Sequence, residues 1–279
     1  MRADIFLAEN GYAKSREEAK RLIASGGVVV NGKTLTKPSS QIDGETPPEI
    51  LITAERSKYV SRGGLKLEKT IDVLGLDPAG ADAVDIGAST GGFTDCLLKH
   101  GARRVRAVDV GRSQLDGTLK NDPRVISYEG MNARYIGPED IGGKCTLAVC
   151  DVSFISLALI FPAVRRILEP DGVFAALIKP QFEAGRANIG KNGIVRSRAV
   201  HAEVISRVLS DAAVNGLHCR ALTVSPIEGG DGNREYVAVF DGGVTCGTIS
   251  DSLIRRVTEG TLDSVFASGR GQYNDLTQH

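Results

Sequence analysis

The sequence has no tryptophan, only 5% aromatic residues and no excess of charge, since 34 basic side chains match 34 acidic ones. Its longest uncharged apolar run covers residues 152–164, whereas a membrane-spanning helix needs about 20 apolar residues. We therefore expect no membrane span. The content of 42% hydrophobic and 24% charged residues is that of an ordinary globular protein and excludes disordered, collagen-like and coiled-coil chains.

The five cysteines contain no C-x-x-C pair and form no even framework for disulfide bonds. No cluster of histidine and cysteine has the spacing of metal ligands, so we expect no metal site. The first ten residues lack the continuous apolar core of a secretion signal. These absences together favour a reducing, cytoplasmic location, and the length of 279 residues allows two domains.

An amphipathic helix is predicted near the N-terminus. Ala19, Leu22 and Ile23 recur at helical spacing, and Ser15 with Glu18 fits a capping box at its start. The basic residues fall on the other faces of this helix: Lys14, Arg16, Lys20 and Arg21. Asn31-Gly32, between residues 28–30 and 33–35, then predicts a β-hairpin.

This N-terminal pattern resembles the S4-type RNA-binding module over about residues 1–54. The resemblance is carried by Arg2-x-Asp4-x-x-Leu7, Ser15-Arg16 and Val28-x-Val30-Asn31-Gly32. It implies that residues 1–57 form an RNA-binding domain, in which Lys14, Arg16, Lys20 and Arg21 contact phosphates without reading the sequence. A small helical cap with solvated cations is the alternative interpretation.

From about residue 58 the pattern changes to alternating strands and helices. The order βαβαβ predicts an α/β, Rossmann-like domain over residues 58–279, with a doubly wound, mostly parallel, seven-stranded sheet. A helix is expected at residues 253–266. Ligands of such folds bind at the carboxyl ends of the strands. The strand candidates are 83–86, 105–110, 125–128, 147–152, 173–178, 221–225 and 236–240.

A turn of small residues follows the first strand of this domain and opens a helix. Glycine allows a tight turn and close approach to a ligand. Asp109, twenty-two residues after Gly87, ends the next strand and can accept hydrogen bonds from both ribose hydroxyls of an adenosine. The predicted cofactor-binding residues are Asp85, Gly87, Ala88, Ser89, Gly91, Gly92, Phe93 and Asp109.

The spacing by itself fits either a dinucleotide or S-adenosylmethionine. Two details favour S-adenosylmethionine: the turn departs from G-x-G-x-x-G, and Asp85 stands where it can meet the cationic amino acid part of this cofactor. A merely structural glycine-rich turn is the alternative.

Four charged residues could converge at the carboxyl edge of the sheet. Asp151 and Lys179 each follow a predicted strand, Glu235 precedes the last one, and Lys66 lies on the helix before the first. Each alone is most often a solvated charge. Together they resemble the Lys-Asp-Lys-Glu tetrad of FtsJ-like ribose 2′-O-methyltransferases.

The whole pattern, over about residues 1–245, resembles the TlyA family, whose members are often called hemolysins. The motifs are VSRGGLKL, DIGASTGGFTD, DVSFISL, KPQFE and GNREY, in this order. The resemblance implies transfer of a methyl group to the ribose 2′-hydroxyl of a cytidine in 23S rRNA, and in some members also 16S rRNA. It also implies that Asn132 lies near the adenine of the cofactor. Longer and shorter members of the family differ at their ends and in their targets. Because the sequence starts at Met1-Arg2-Ala3-Asp4, with little ahead of the RNA-binding module, we expect the narrower target, the large subunit.

Methyl transfer is an in-line displacement, which needs chiefly an aligned and deprotonated hydroxyl. Lys179 would take the hydroxyl proton or, if charged, stabilise the alkoxide; Asp151 would orient Lys179, and Lys66 with Glu235 would hold the hydroxyl. The expected partners are ribosomal RNA or ribosomal subunits, without stable membrane association.

The alternative functions are a non-catalytic ribosome-binding or assembly factor, a hemolysin and, more distantly, an NAD-dependent oxidoreductase. The segment 183–193 fits a mobile lid or a plain surface loop equally well.

Overall fold

The chain forms two compact units, Met1–Ser57 and Lys58–His279, in a computed structural model. The structure describes residues 1–13, 15–24, 26–42, 47–53, 58–229, 232–243 and 247–267, without the side chains of Arg21 and Ala24. The predictions for Lys14 and for the Arg21 side chain lie outside this part of the chain.

The first unit packs two helices on a three-stranded antiparallel sheet of order β2-β1-β3. Ser15 Oγ accepts the backbone N–H of Glu18 at 3.2 Å, so the second helix begins with the predicted cap. Asn31 and Gly32 both have left-handed φ angles, 48° and 75°, as the predicted two-residue hairpin requires. The elements are α1 (Ala3–Glu9), α2 (Arg16–Ala24), β1 (Val28–Val30), β2 (Lys33–Thr34) and β3 (Ile50–Ile52).

The second unit contains one large sheet of order β11-β9-β10-β8-β7-β4-β5-β6. Strands β4 to β8 run parallel, and β10 is antiparallel to both β8 and β9. The predicted α/β fold class is confirmed. The strands are β4 (Asp82–Ile86), β5 (Arg104–Asp109), β6 (Val125–Glu129), β7 (Cys145–Cys150), β8 (Leu168–Ile178), β9 (Leu217–Val224), β10 (Tyr236–Gly242) and β11 (Ser264–Phe266).

Helices cover both faces of this sheet. Strand β8 shows why: Phe174, Ala176 and Ile178 belong to the hydrophobic cluster on one face, while Ala175 and Leu177 belong to the cluster on the other. Because side chains alternate along a strand, a continuous apolar run buries both faces. The helices are α3 (Gly63–Leu74), α4 (Gly92–Lys99), α5 (Gly117–Lys120), α6 (Phe161–Ile167), α7 (Pro180–Glu183), α8 (Arg198–Val214) and α9 (Asp251–Glu259).

The prediction of one helix over residues 253–266 is wrong in its second half. Helix α9 ends at Glu259 and is followed by the cap residue Gly260, which has a left-handed φ of 84°. Ser264–Phe266 then form β11, an eighth strand that pairs with β9 and lies outside the seven predicted. Three residues with no clear alternation become a strand because an open sheet edge offers them backbone hydrogen bonds.

Candidate active site

Lys179 and Asp151 meet at the carboxyl edge of the large sheet. They directly follow the parallel neighbours β8 and β7, so the topology places them side by side. The Lys179 Nζ lies 2.6 Å from Asp151 Oδ1 and donates a hydrogen bond to Ser153 Oγ at 3.0 Å. Only 8% of Lys179 is exposed, so its buried amino group is held between oxygen atoms of Asp151 and Ser153.

A second buried lysine–carboxylate pair joins Lys66 on α3 to Glu235. The Lys66 Nζ and Glu235 Oε2 are 2.6 Å apart, and both side chains are buried. Gln181 Nε2 donates to the other oxygen, Glu235 Oε1, at 3.0 Å. The position of this carboxylate is therefore determined from two sides.

The two pairs are brought to one place by strand register and by helix packing. Tyr236 on β10 pairs with Ile178 on β8. Because these strands are antiparallel, the residue before Tyr236 lies opposite the residue after Ile178. Glu235 thus faces Lys179 across the strand ends. On the other side, a Cβ built on Gly63 of α3 would lie 3.8 Å from Asp151 Oδ2.

The glycine turn after β4 approaches the same edge. Gly87 has a φ of 82°, and a Cβ built there would lie 2.8 Å from the carbonyl oxygen of Asp151. A side chain would therefore collide with the backbone beside the lysine–carboxylate pair.

Two of the predicted cofactor glycines are required for contacts within the protein. A Cβ built on Gly92 would lie 2.2 Å from Ser61 Oγ, and one built on Gly91 would lie 2.3 Å from Leu119 Cδ1. Ala88 and Phe93 are buried, whereas Ser89 is exposed with a left-handed φ of 48°. The part of the turn that faces outward is therefore short.

Asp109 ends β5 next to this turn. Its two carboxylate oxygens accept backbone N–H groups, from Ser89 at 2.8 Å and from Gly111 at 2.7 Å. The N–H of Met131 bonds to the Asp109 carbonyl oxygen at 2.9 Å, which brings the exposed Asn132 to the same edge. A carboxylate oxygen has capacity for a further donor, so Asp109 remains able to accept ribose hydroxyls.

Asp85 is completely buried at the end of β4. Burial raises the pKa of this carboxyl to about 7; the hydroxyl of Thr94, which donates to Oδ2 at 2.7 Å, acts against this, and the nearby carboxylate of Asp151 adds to it. Among the described residues, Asp85 Oδ1 has no hydrogen-bond partner. An unpartnered buried carboxylate oxygen fits the cationic end of an S-adenosylmethionine.

Sequence reasoning missed three residues that lie inside the recognised motifs. Ser153 accepts from Lys179, and Gln181 donates to Glu235. Glu183 accepts from Ser156 Oγ and from the Leu157 backbone N–H, both at 2.8 Å, and so connects α7 to the loop after β7. Their adjacency to the predicted tetrad was the available signal, but only the folded chain shows their partners.

His201 is a buried core residue. Its Nδ1 lies 2.8 Å from the Tyr236 hydroxyl and its Nε2 lies 2.8 Å from the Val195 carbonyl oxygen. The Val195 N–H bonds to Asn233 Oδ1 at 3.2 Å. Asn233 Nδ2 also donates to the Gly193 carbonyl oxygen at 3.1 Å, which anchors the segment 183–193 at its C-terminal end.

No helix in the described ranges is both long enough and apolar enough to cross a membrane.

Comparison with known proteins identifies the family. A family model described as FtsJ-like methyltransferase matches residues 59–241, and a model described as S4 domain matches residues 1–46.

Relatives match nearly the whole chain. The 16S/23S rRNA (cytidine-2′-O)-methyltransferase TlyA of Mycobacterium tuberculosis is 38% identical over 263 residues, which cover 93% of this chain and 98% of the relative. A candidate rRNA methyltransferase of Bacillus subtilis, YqxC, is 48% identical over 237 residues, which cover 85% of this chain and 84% of the relative. A solved structure from Streptococcus thermophilus, described as a candidate hemolysin, has a TM-score of 0.75 at 44% sequence identity. The match covers 93% of this chain and 94% of the solved chain. The chain therefore belongs to the FtsJ-like methyltransferase family, with an S4 domain ahead of the methyltransferase domain, and it groups with the TlyA proteins, as its motifs predicted.

Proposed function

We propose that this protein transfers a methyl group from S-adenosylmethionine to the ribose 2′-hydroxyl of a cytidine in ribosomal RNA. The observation that carries the proposal is that two buried lysines each contact a carboxylate, Lys179 with Asp151 and Lys66 with Glu235, at the carboxyl edge beside the glycine turn. The relative named as an rRNA (cytidine-2′-O)-methyltransferase supports the choice of RNA and of nucleoside.

The cofactor would be held by the residues at the ends of β4 and β5. Asp85 offers an unpartnered oxygen to its amino group, and Asp109 offers a fixed carboxylate to its ribose. Asn132 would lie at its adenine. The bound cofactor supplies an electrophilic methyl group on a sulfonium.

Lys179 is the residue proposed to act on the 2′-hydroxyl. Asp151 and Ser153 fix its Nζ, so that a hydroxyl entering the site meets the lysine in one geometry. Lys179 then either accepts the hydroxyl proton or, as an ammonium, stabilises the alkoxide. Lys66 and Glu235, held by Gln181, would position the hydroxyl from the other side.

The S4 domain would supply affinity for the RNA. Arg16 and Lys20 lie on α2 with partly exposed side chains, and cations in such positions bind phosphates without reading bases. Ribosomal RNA, free or within a subunit, is the proposed partner.

Transfer of labelled methyl from S-adenosylmethionine to unmodified 30S subunits, 50S subunits and free rRNA tests this function. We expect label on a ribose 2′-oxygen of one substrate and its loss in Lys179→Ala. Lys144→Ala is the matched control, because Lys144 is an exposed lysine just before the amino-terminal end of β7. Binding of cofactor and RNA without transfer would favour the non-catalytic ribosome-binding factor.

Lys179→Arg separates the two roles of the lysine. Arginine keeps the positive charge but does not lose its proton in proteins. A variant that retains part of the rate indicates an electrostatic role, whereas complete loss in a folded variant that still binds the cofactor indicates proton acceptance.

A further inference from the structure

A carboxylate in the N-terminal unit holds two arginines on the surface of that unit. Asp4, in the first turn of α1, is completely buried. Its Oδ1 accepts from Arg2 Nε at 2.9 Å, and its Oδ2 accepts from Arg2 Nη2 at 3.2 Å and from Arg16 Nη2 at 3.1 Å. Arg2 thus makes a two-bond fork with Asp4, and Arg16 approaches from the start of α2.

The backbone around Asp4 is itself fixed. The N–H of Asp4 bonds to the Pro38 carbonyl oxygen at 3.1 Å, and the N–H of Ala3 bonds to the Ser40 carbonyl oxygen at 2.7 Å. The buried carboxylate is therefore a rigid anchor point. Its bonds to Arg2, and further those to Arg16, lower the pKa of Asp4 to about 2 in spite of its burial, so it carries its charge at neutral pH.

The two arginines remain half exposed although they are anchored. The side chains of Arg2 and Arg16 are 43% and 54% exposed, while that of Asp4 is 0% exposed. One negative charge faces two positive ones, so this cluster has a net charge of +1. Each guanidinium uses only part of its five N–H groups on Asp4.

We propose that Asp4 is a positioning residue which holds Arg2 and Arg16 as a preformed pair of guanidinium groups for the phosphates of the RNA substrate. An arginine that is free in solution loses rotamer freedom when it binds a phosphate, whereas one held by Asp4 has lost this freedom during folding. The proposal rests on the proposed function, because it assumes that the S4 domain binds rRNA. It adds Arg2 to the predicted contact residues and assigns Asp4 a role of its own.

Asp4→Asn in the full chain tests the proposal, because positioning and simple electrostatics predict opposite signs. The variant has one negative charge less, so simple electrostatics predicts equal or tighter binding to a polyanion. Positioning predicts binding about tenfold weaker at 0.15 M salt, with an unchanged slope of log affinity against log salt, since the number of cations is the same. The probe is the ribosomal subunit, or the rRNA fragment, that accepts methyl from the wild type.

Glu9→Gln is the matched control. Glu9 is an exposed residue at the other end of α1, so this variant removes the same charge from the same helix without touching the cluster. We expect its affinity to stay within about twofold of the wild type.

A direct readout of positioning exists without RNA. The Nε–H signal of Arg2 in proton–nitrogen correlation spectra should be protected from exchange with water in the wild type and in Glu9→Gln, and should be lost in Asp4→Asn. If Asp4→Asn does not fold, the double variant Arg2→Lys with Arg16→Lys decides the question. This double variant retains both positive charges but cannot form the two-bond contact between Arg2 and Asp4. We therefore expect it to lose about as much affinity for the RNA as Asp4→Asn.

The outcomes separate this proposal from the proposed function. An Asp4→Asn variant that is folded and binds as tightly as the wild type overturns the positioning role alone. Unchanged affinity of the double lysine variant does the same. A wild type that neither binds nor methylates rRNA overturns the proposed function and this proposal with it.

Discussion

Both units of this protein pair basic side chains with carboxylates, but they bury different partners. At the methyltransferase site both members of the Lys66–Glu235 pair are buried, with 10% and 2% of the side chains exposed. In the N-terminal unit the carboxylate of Asp4 is buried while its two arginines are about half exposed. Burying both partners holds the charged atoms in one place inside the protein. Burying only the anion holds the two cations at the surface, where a binding partner can reach them.

The largest expected effect comes from breaking the Lys179–Asp151 pair. Lys179→Ala should lower the rate of methyl transfer about a thousandfold, because it removes the amino group that we propose acts on the 2′-hydroxyl. Cofactor affinity, measured by isothermal titration, should stay within a few-fold of the wild type. Retention of more than a tenth of the rate would exclude Lys179 from the reaction.

Glu235→Gln tests how strongly the fold depends on the second buried pair. We expect a loss of about 3 kcal/mol in the free energy of unfolding, since the change leaves the Lys66 ammonium buried without its counter-charge. Thermal unfolding of the variant and the wild type measures this loss.

The double variant Lys66→Met with Glu235→Gln sharpens this test. It removes both charges at similar volume, so it should recover most of the stability but none of the activity. Equal instability of the single and double variants would show that packing, and not the unpaired charge, causes the loss.

The buried carboxyl of Asp85 should make cofactor binding depend on pH. Its pKa of about 7 lies above the ordinary value of 3.8, so in the free protein it is largely protonated below pH 7. A cationic ligand beside it favours the ionised form. The affinity for S-adenosylmethionine should therefore rise about tenfold from pH 6 to pH 8, and level off above the pKa in the free protein.

The same raised pKa affects stability with the opposite sign. Between about pH 4 and pH 7 the folded protein retains the Asp85 proton and the unfolded chain releases it, so the contribution of this group to stability falls as pH rises. Asp85→Asn should bind the cofactor weakly at every pH and should lack this part of the pH dependence of unfolding. A pH profile unchanged by the substitution would assign the effect to another group.

The smallest effect is expected for an exposed pair. Glu17 and Lys20 lie 2.6 Å apart on α2, with side chains 77% and 40% exposed. Glu17→Gln should change the free energy of unfolding by less than about 0.5 kcal/mol, because solvent screens both charges. A loss as large as that of Glu235→Gln would show that burial does not set the contribution of these ion pairs to stability.

Local signals predicted those elements whose cause is local. The cap at Ser15, the Asn31-Gly32 hairpin and the turn at Gly87 each depend on a few neighbouring residues, and the structure contains all three. The strand Ser264–Phe266 was missed because it exists only through its pairing with β9, which lies some 40 residues earlier in the chain.

The site divides in the same way. The motifs named Lys66, Asp151, Lys179 and Glu235, but no spacing rule pairs Lys66 with Glu235 across 169 residues, and none shows that Gln181 holds the same carboxylate. Asp4 belongs to the motif Arg2-x-Asp4-x-x-Leu7, but the motif does not show that Asp4 binds two arginines. Its contact with Arg16 depends on how α1 and α2 pack.

The amino-acid sequence by itself determined the alternation of strands and helices, the glycine-rich turn and the residue types at the strand ends, because each depends on backbone preferences and on apolar periodicity within about ten residues. Only the tertiary structure decided which charges face each other and which are removed from water. Ion pairing and the shift of a pKa depend on distance and burial, and both are properties of segments far apart in the chain that meet when the sheet is assembled.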